Sequence, residues 1–162
     1  MRRFIVLFLV VLFAFAIASD RPRAQGAAVG ALEGPELETA LIGKVFGIRT
    51  EKMIIGPPDN PTGTTRRTDG GHTRFELAIR SDNSLIFTCT FHDRGGSSMP
   101  CRGSSRDAGI WSVRGNRFCT QYLTVRGSQE QCYTVYRDGA DLRLAQISGP
   151  PSTVDGERLV RK

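Results

Sequence analysis

Short segments in which apolar and polar residues alternate follow one another along the sequence, and turn residues separate them with no helical pattern between. The clearest is 73–80, where Phe75, Leu77 and Ile79 alternate with Arg74, Glu76 and Arg80. A period of two places the apolar side chains on one face of a strand. Further strand signals occupy 44–50, 52–55, 85–91, 110–113, 117–125, 131–137 and 142–147. Because connections this short join antiparallel neighbours, the sequence predicts an antiparallel meander.

These segments predict a mainly β fold, in which a meander of about six to eight strands forms a small barrel or a strongly curved sheet. Barrel closure would remove exposed strand edges, which are a liability in an exported β protein. One short N-terminal helix precedes the strands. Pro35 lies in its first turn, Glu36 near its positive end, and Gly43 at its stop. Leu37 and Leu41 share its apolar stripe.

The N-terminus has the pattern of a secretory signal peptide. Arg2 and Arg3 precede an apolar run from Phe4 to Ala18, which is shorter than the roughly 20 residues that span a bilayer. The small residues Ala16 and Ala18 match the site that signal peptidase reads, so we expect cleavage after residue 18. An uncleaved membrane anchor is the alternative. The mature chain is expected in the periplasm or outside the cell, with no membrane span.

The predicted organisation is a signal peptide at 1–18, a flexible leader at 19–34, one β-rich domain at 35–148 and a polar tail at 149–162. The whole chain has 22 Lys and Arg against 16 Asp and Glu, a formal net charge of +6. Loss of the two arginines in the signal peptide leaves 20 basic residues and a charge of +4. This modest charge is spread along the chain, so nucleic acid is not an expected partner.

Four cysteines remain in the predicted mature chain, namely Cys89, Cys101, Cys119 and Cys132. An even number in a chain bound for an oxidising compartment predicts disulfides. Three pairings are open, and pairing of sequence neighbours is favoured because each bridge then closes one local loop. If the second hairpin turns at 126–128, Cys119 and Cys132 are not directly opposite, and their bridge needs a bulge or a longer turn. A metal site is the alternative, but no C-x-x-C motif supports it.

One stretch resembles a pattern in exported bacterial proteins. It consists of Gly109-Ile110-Trp111-Ser112-Val113, Arg117-Phe118-Cys119 and Gln131-Cys132-Tyr133-Thr134-Val135. This G-x-W-x-V motif, followed by two cysteines on neighbouring strands, is similar to small exported β proteins of unknown function, typically from proteobacteria. The resemblance implies an exported, mainly β domain and pairing of Cys119 with Cys132. Those families have no established catalytic residues, so it implies none here.

The most catalytic-looking cluster is His92-Asp93 at a strand end, followed by Ser97 and Ser98. A Ser–His–Asp arrangement needs a base beside the nucleophile and a carboxylate that orients the base. Adjacent residues on a strand point to opposite faces, so His92 and Asp93 cannot form this relay directly. A hydrolase that uses His92 with a distant carboxylate is therefore an alternative reading. No phosphate-binding loop or metal motif is present, and no cofactor is predicted.

Arginines in predicted loops are further candidates for binding, because guanidinium groups make bidentate contacts to phosphate and carboxylate. Together with one histidine, the candidate binding residues are Arg66, Arg67, His92, Arg94, Arg102 and Arg106. The larger aromatic residues either line a ligand cavity in an open barrel, or fill the interior or cover the sheet; they are Trp111, Tyr122, Tyr133 and Tyr136.

The leading functional prediction is an exported, non-enzymatic β domain that binds a protein or small ligand through its loops. One alternative is an inhibitor of an extracytoplasmic enzyme, in which the loop 94–103 is rigid because a Cys89–Cys101 bridge pins it. The other is the hydrolase.

Overall fold

The computed structural model describes residues 30–57, 60–101, 105–124 and 128–162. The predicted signal peptide lies outside these ranges. Within them the chain forms one helix and eleven strands. Their bounds are α1 Gly34–Leu41, β1 Lys44–Thr50, β2 Lys52–Ile55, β3 Gly63–Arg66, β4 His72–Ile79, β5 Ser84–His92, β6 Ser98–Pro100, β7 Arg106–Arg114, β8 Arg117–Tyr122, β9 Glu130–Asp138, β10 Asp141–Ser148 and β11 Arg158–Arg161.

Eight of the strands form a closed antiparallel barrel in the order β1–β4–β5–β7–β8–β9–β10–β11, and β11 pairs with β1 to complete it. Barrel neighbours follow one another in the chain, apart from the small strands β2, β3 and β6. The predicted fold class is confirmed: a mainly β antiparallel meander with one short helix, closed as a barrel. β2 and β3 form a separate hairpin, and β6 pairs with β5 beside the barrel. β2 coincides with the strand predicted at 52–55, whereas β3 and β6 lie in segments that the sequence pattern predicts as loops.

Apolar side chains fill the interior, as expected for a barrel of eight strands. On β4, Phe75, Leu77 and Ile79 are buried, and the residues between them face outward. Trp111 is also buried, and its Nε1 donates a 2.8 Å hydrogen bond to the carbonyl oxygen of Arg80. Other fully buried apolar residues are Phe46, Leu85, Phe118, Val135, Leu144 and Leu159.

Helix α1 closes one end of the barrel. Leu37 and Leu41, on its apolar stripe, have no exposed surface. Leu32, just before the helix, is also buried, and Ala31 forms an isolated bridge with β9. Residues 31–34 therefore belong to the fold, and the predicted leader extends too far. Within the described ranges, no helix combines the length and apolar character needed to cross a bilayer.

The segment 149–157 closes the opposite end. Ser152 is buried, and its Oγ lies 2.9 Å from the hydroxyl of Tyr133. Gln131 Nε2 donates a 2.8 Å hydrogen bond to a backbone carbonyl of the segment. After it, β11 inserts between β10 and β1. The predicted polar tail, 149–162, thus completes the barrel, and the predicted domain boundary at its start is wrong.

The four cysteines form two disulfides, Cys89–Cys101 and Cys119–Cys132, which confirms the pairing of sequence neighbours. Cys119 on β8 and Cys132 on β9 are direct register partners. The hairpin does not turn tightly at 126–128, because β8 ends at residue 122 and β9 begins only at residue 130; of the two routes predicted for this bridge, a bulge or a longer turn, the longer turn is the one observed. The connection is longer than the predicted turn and brings the cysteines into register.

Candidate functional site

The barrel interior is too small for an organic ligand. Its cavity has a volume of about 40 Å³ and is lined in part by Thr120, Tyr122, Gln131, Tyr133 and Ser152. Ligand pockets have volumes of about 300–1,000 Å³, whereas one water molecule has a share of about 30 Å³ in the liquid. Trp111 and Tyr133 are buried and Tyr122 is half-buried, so these three fill the interior. Tyr136 alternates with buried Val135 and lies half-buried on the outer face of β9.

Two larger grooves lie on the outside of the barrel. The first, of about 670 Å³, is lined by residues of the β2–β3 hairpin, β1 and β11. The second, of about 590 Å³, crosses the outer face of β11, β1, β4 and β5. Arg49 and Val160 line both, so the grooves form one continuous surface, which we call the basic face. Its charged lining residues are Arg49, Lys52, Arg66, Arg74, Arg158 and Lys162 against Glu51, Glu76 and Glu157.

The centre of the basic face is a pair of arginines. Arg49 on β1 and Arg74 on β4 are direct register partners, and both are exposed. Like charges directly opposite each other on neighbouring strands destabilise a sheet. Among the residues that the structure describes, neither guanidinium has a carboxylate within 4.0 Å. The pair therefore leaves a local positive charge without a counterion in the described part of the chain.

The other four cations of the basic face are each paired with a carboxylate. The pairs are Lys52–Glu157, Arg66–Glu51, Arg158–Asp138 and Lys162–Glu76. The Glu51 carboxylate accepts two hydrogen bonds from Arg66, and these are the largest cause that lowers its pKa. Glu51 is therefore the ion-pair partner of Arg66 rather than of Arg49. The Arg66–Glu51 and Lys162–Glu76 pairs are exposed, and exposed ion pairs contribute only about 0–1 kcal/mol each. An external anion can therefore compete for these cations.

Two stacked histidines lie beside the arginines on the same outer face. His72 on β4 and His92 on β5 are register partners, with ring centroids 4.9 Å apart and 8° between the ring planes. His92 Nδ1 lies 2.8 Å from Ser98 Oγ. His72 Nε2 is buried and has no hydrogen-bond partner among the described residues. Thr90, the register partner of Arg74, adds a hydroxyl to this face.

Burial lowers the pKa of the His72 imidazole below its ordinary value of 6.5. The positive charges of Arg49, His92 and Arg74 lower it further, and Glu51 opposes them. His72 is therefore neutral at pH 7. An anion bound among these cations would raise the pKa, because it would offset the repulsion that the imidazolium meets.

The folded protein should lose stability as the pH falls from about 6.5 through the lowered pKa of His72. In this range the unfolded chain binds a proton that the folded site resists, so the free energy of unfolding rises with pH. The substitution His72→Gln removes this proton linkage. In urea denaturation at several pH values between about 7.5 and 5, the wild-type protein should lose stability more steeply than the variant. Parallel pH profiles would contradict the assignment.

Ser98 and His92 also have the spacing of a nucleophile and its base. Hydrolysis needs in addition a group that orients the base and donors for the developing oxyanion. The Asp93 carboxylate instead stabilises the β5–β6 turn, where its Oδ1 accepts a 2.8 Å hydrogen bond from the backbone N–H of Ser97. In the described residues no carboxylate is hydrogen-bonded to the His92 ring. Of a catalytic triad, the described residues therefore supply the nucleophile, Ser98, and the base, His92, but not the orienting carboxylate.

Among the described residues, one group of three metal-binding side chains comes together. Cys119, Glu130 and Cys132 bring their ligand atoms within 4.8 Å of one another. The two sulfurs are bonded to each other in a disulfide, so they are not available as thiolate ligands. This cluster is therefore a disulfide bond with the Glu130 carboxylate beside it.

Two of the predicted binding residues, Arg66 and His92, lie on the basic face. Arg67 instead pairs with Asp69, and its Cζ lies 4.3 Å from the centroid of the Phe91 ring. This cation–π contact holds the chain after β3 against the barrel. Arg67 therefore has a structural role.

Of the remaining predicted residues, Arg94 and Arg106 are not among the described residues that line the grooves. Arg94 is exposed in the β5–β6 turn, and its side chain lies against Gly70. Arg106 begins β7 opposite Thr88. Arg102 lies outside the described residues.

The sequence prediction misses Arg49 and Arg74, and it gives His72 no role. The available signal is that Arg74 belongs to the polar face of the clearest alternating segment. That signal does not say which residue lies opposite, because the pairing of Arg49 with Arg74 depends on the register between two strands, β1 and β4, that are not consecutive in the chain.

The basic face offers exposed cations, hydroxyl groups and two histidines on rigid strands. Comparison with known proteins adds no further residue assignments: no protein-family model, no curated protein and no solved structure matches this chain.

Proposed function

We propose that the protein is an exported, non-enzymatic β-barrel domain that binds an anionic ligand on its basic face. The observation that carries this proposal is the pair of arginines, Arg49 and Arg74, opposite each other and without a carboxylate partner among the described residues. A guanidinium group presents planar, forked donors that match phosphate, sulfate and carboxylate groups. An anion between the two arginines would neutralise both and remove their repulsion.

The surroundings of the arginine pair suit such a ligand. Thr88 and Thr90 line the second groove and offer hydroxyl donors. His92 lines the same groove, with Ser98 bound to its Nδ1. All these groups lie on barrel strands or on the paired strand β6, so binding would need little reorganisation. The proposed site is thus on strand faces rather than on the loops.

Export is the second part of the proposal. The two disulfides are compatible with an oxidising, extracytoplasmic compartment. The charged start and apolar run of residues 1–18 supply the secretion signal. These two features together support a periplasmic or secreted location.

The proposal predicts a measurable loss of anion binding in Arg74→Gln. Phosphate, titrated against chloride at equal ionic strength, should shift backbone amide resonances of β1, β4 and β5 in ¹⁵N NMR spectra. A hydrogen bond to a charged group contributes about 1.5–3 kcal/mol. The variant should therefore bind phosphate about tenfold more weakly or worse, while its stability without phosphate stays equal or rises by up to about 1 kcal/mol as the like-charge pair is relieved.

Arg137→Gln is the matched control. Arg137 is as exposed as the arginines of the basic face, pairs with Glu36 at 2.8 Å, and does not line either groove. Its replacement should leave the phosphate affinity unchanged. Equal affinities of the wild-type protein and Arg74→Gln, or amide shifts confined to other strands, would refute the proposal.

A hydrolase that uses His92 is the second candidate function. The 2.8 Å contact between Ser98 Oγ and His92 Nδ1 favours it. We rank anion binding first because both arginines that it needs are in place. Hydrolysis needs a carboxylate that orients His92, and none of the described residues supplies one. The inhibitor reading gains no support from the β5–β6 turn, where the Arg94 side chain lies against Gly70 in the connection between β3 and β4.

A further inference from the structure

We infer that the anion recognised by the basic face is an acidic polysaccharide, bound as an extended chain across both grooves. This inference rests on the proposed anion binding and adds the class of ligand. Three properties of the basic face support it: its extent, the distribution of its cations, and the kinds of side chain between them.

The extent of the basic face exceeds what a single inorganic anion needs. The grooves measure about 670 and 590 Å³ and share Arg49 and Val160. A phosphate or sulfate ion, only a few times the volume of one water molecule, would fill a small part of one groove. A ligand that uses the whole surface must pass Arg49 and enter both grooves, as an extended chain does.

The cations are distributed along this surface rather than gathered at one point. Arg49 and Arg74 occupy the centre, Arg66 lines only the first groove, and Lys162 lines only the second. The side chains of Arg66 and Lys162 are 80% and 56% exposed, and each has one carboxylate partner. Such exposed pairs are weak, so a chain with repeated negative charges can contact both ends as well as the centre.

The side chains between the cations favour a hydroxyl-rich polymer over a nucleic acid. Single-stranded nucleic acids are held by stacking of bases on exposed aromatic rings. In the described lining the aromatic rings are Phe75, which is buried, and His92, which is already stacked on His72. Threonine hydroxyls occupy the walls instead and can bond sugar hydroxyls; they are Thr64, Thr65, Thr88 and Thr90.

Heparin oligosaccharides of two and eight sugar units, as sulfated probes of defined length, test the inference by calorimetry. The octasaccharide should bind at least about tenfold more tightly than the disaccharide, because it reaches cations that the disaccharide cannot. Arg66→Gln and Lys162→Gln should each weaken octasaccharide binding about threefold or more and change disaccharide binding by less than twofold. Arg137→Gln should change neither. The affinity for the octasaccharide should fall linearly with salt on logarithmic axes.

The alternatives give different results. Equal affinity for both lengths, lost in Arg74→Gln, would overturn the extended ligand and leave the proposed anion binding intact. An oligothymidylate or a poly-glutamate of equal charge that binds as tightly as the octasaccharide would overturn the polysaccharide class. Failure of phosphate and of both heparin probes to bind would refute the proposed function together with this inference.

Discussion

Replacing Gly149 with alanine should destabilise the protein by about 3 kcal/mol or more. Gly149 has a φ of +95°, which L residues rarely adopt and which costs about 1–3 kcal/mol. A Cβ at this position would lie 2.4 Å from the carbonyl oxygen of Glu130 and 2.8 Å from the Cα of Gln131. Both are backbone atoms of β9, so relief requires movement of a barrel strand, at a further cost of about 1–3 kcal/mol.

Denaturation with urea would measure this loss, and Gly139→Ala is the matched control. Gly139 has a φ of +65° in the β9–β10 turn, but a Cβ there meets no atom within 4 Å. The control variant should lose only the backbone term of about 1–2 kcal/mol. Equal losses in the two variants would show that the close approach of residue 149 to β9 does not limit stability.

The same segment connects barrel closure to the basic face. Glu157, at its end, accepts a 3.0 Å hydrogen bond from Thr50 Oγ1 at the end of β1. The Glu157 carboxylate also lies 3.7 Å from Lys52 Nζ, in the first groove. The wall of that groove is therefore built partly from the segment that covers the barrel end, and its shape depends on the seating of 149–157.

The alternating pattern predicts most of the barrel strands, because a strand with one buried face has apolar residues at every second position. The segment 73–80 shows this clearly, and β4 follows it. β11 escapes the same reasoning. It has four residues, of which Leu159 alone is buried, and one apolar residue makes no period. Its position is set by pairing with β10 and β1. β1 is distant in the chain, and the register of these pairings leaves no pattern in the sequence of β11 itself.

The candidate site was harder to predict than the fold, for a related reason. Arg49 and Arg74 are ordinary outward-facing strand residues when each is taken alone. They become a candidate anion-binding site only because the register of β1 and β4 places one opposite the other. The loop arginines chosen from composition are less informative, because Arg67 is satisfied by Asp69 and by the face of Phe91.

Removing either disulfide should cost about 3 kcal/mol of unfolding free energy, and the two losses should be nearly equal. The bridges close loops with sequence separations of 12 and 13 residues. On the chain-entropy account, loops of equal length constrain the unfolded state equally. The double variants Cys89→Ala/Cys101→Ala and Cys119→Ala/Cys132→Ala, compared by urea denaturation, would test this expectation.

The effects of these double variants on binding should differ. Cys89 lies on β5 between Thr88 and Thr90, which line the second groove, and its bridge to Cys101 ties down β6 and with it Ser98. The Cys119–Cys132 bridge joins β8 and β9, whose residues line neither groove. Under conditions in which both variants are folded, loss of the first bridge should weaken anion binding, and loss of the second should leave it unchanged. Equal weakening in both would mean that the basic face depends on the stability of the whole barrel rather than on the local support of β5 and β6.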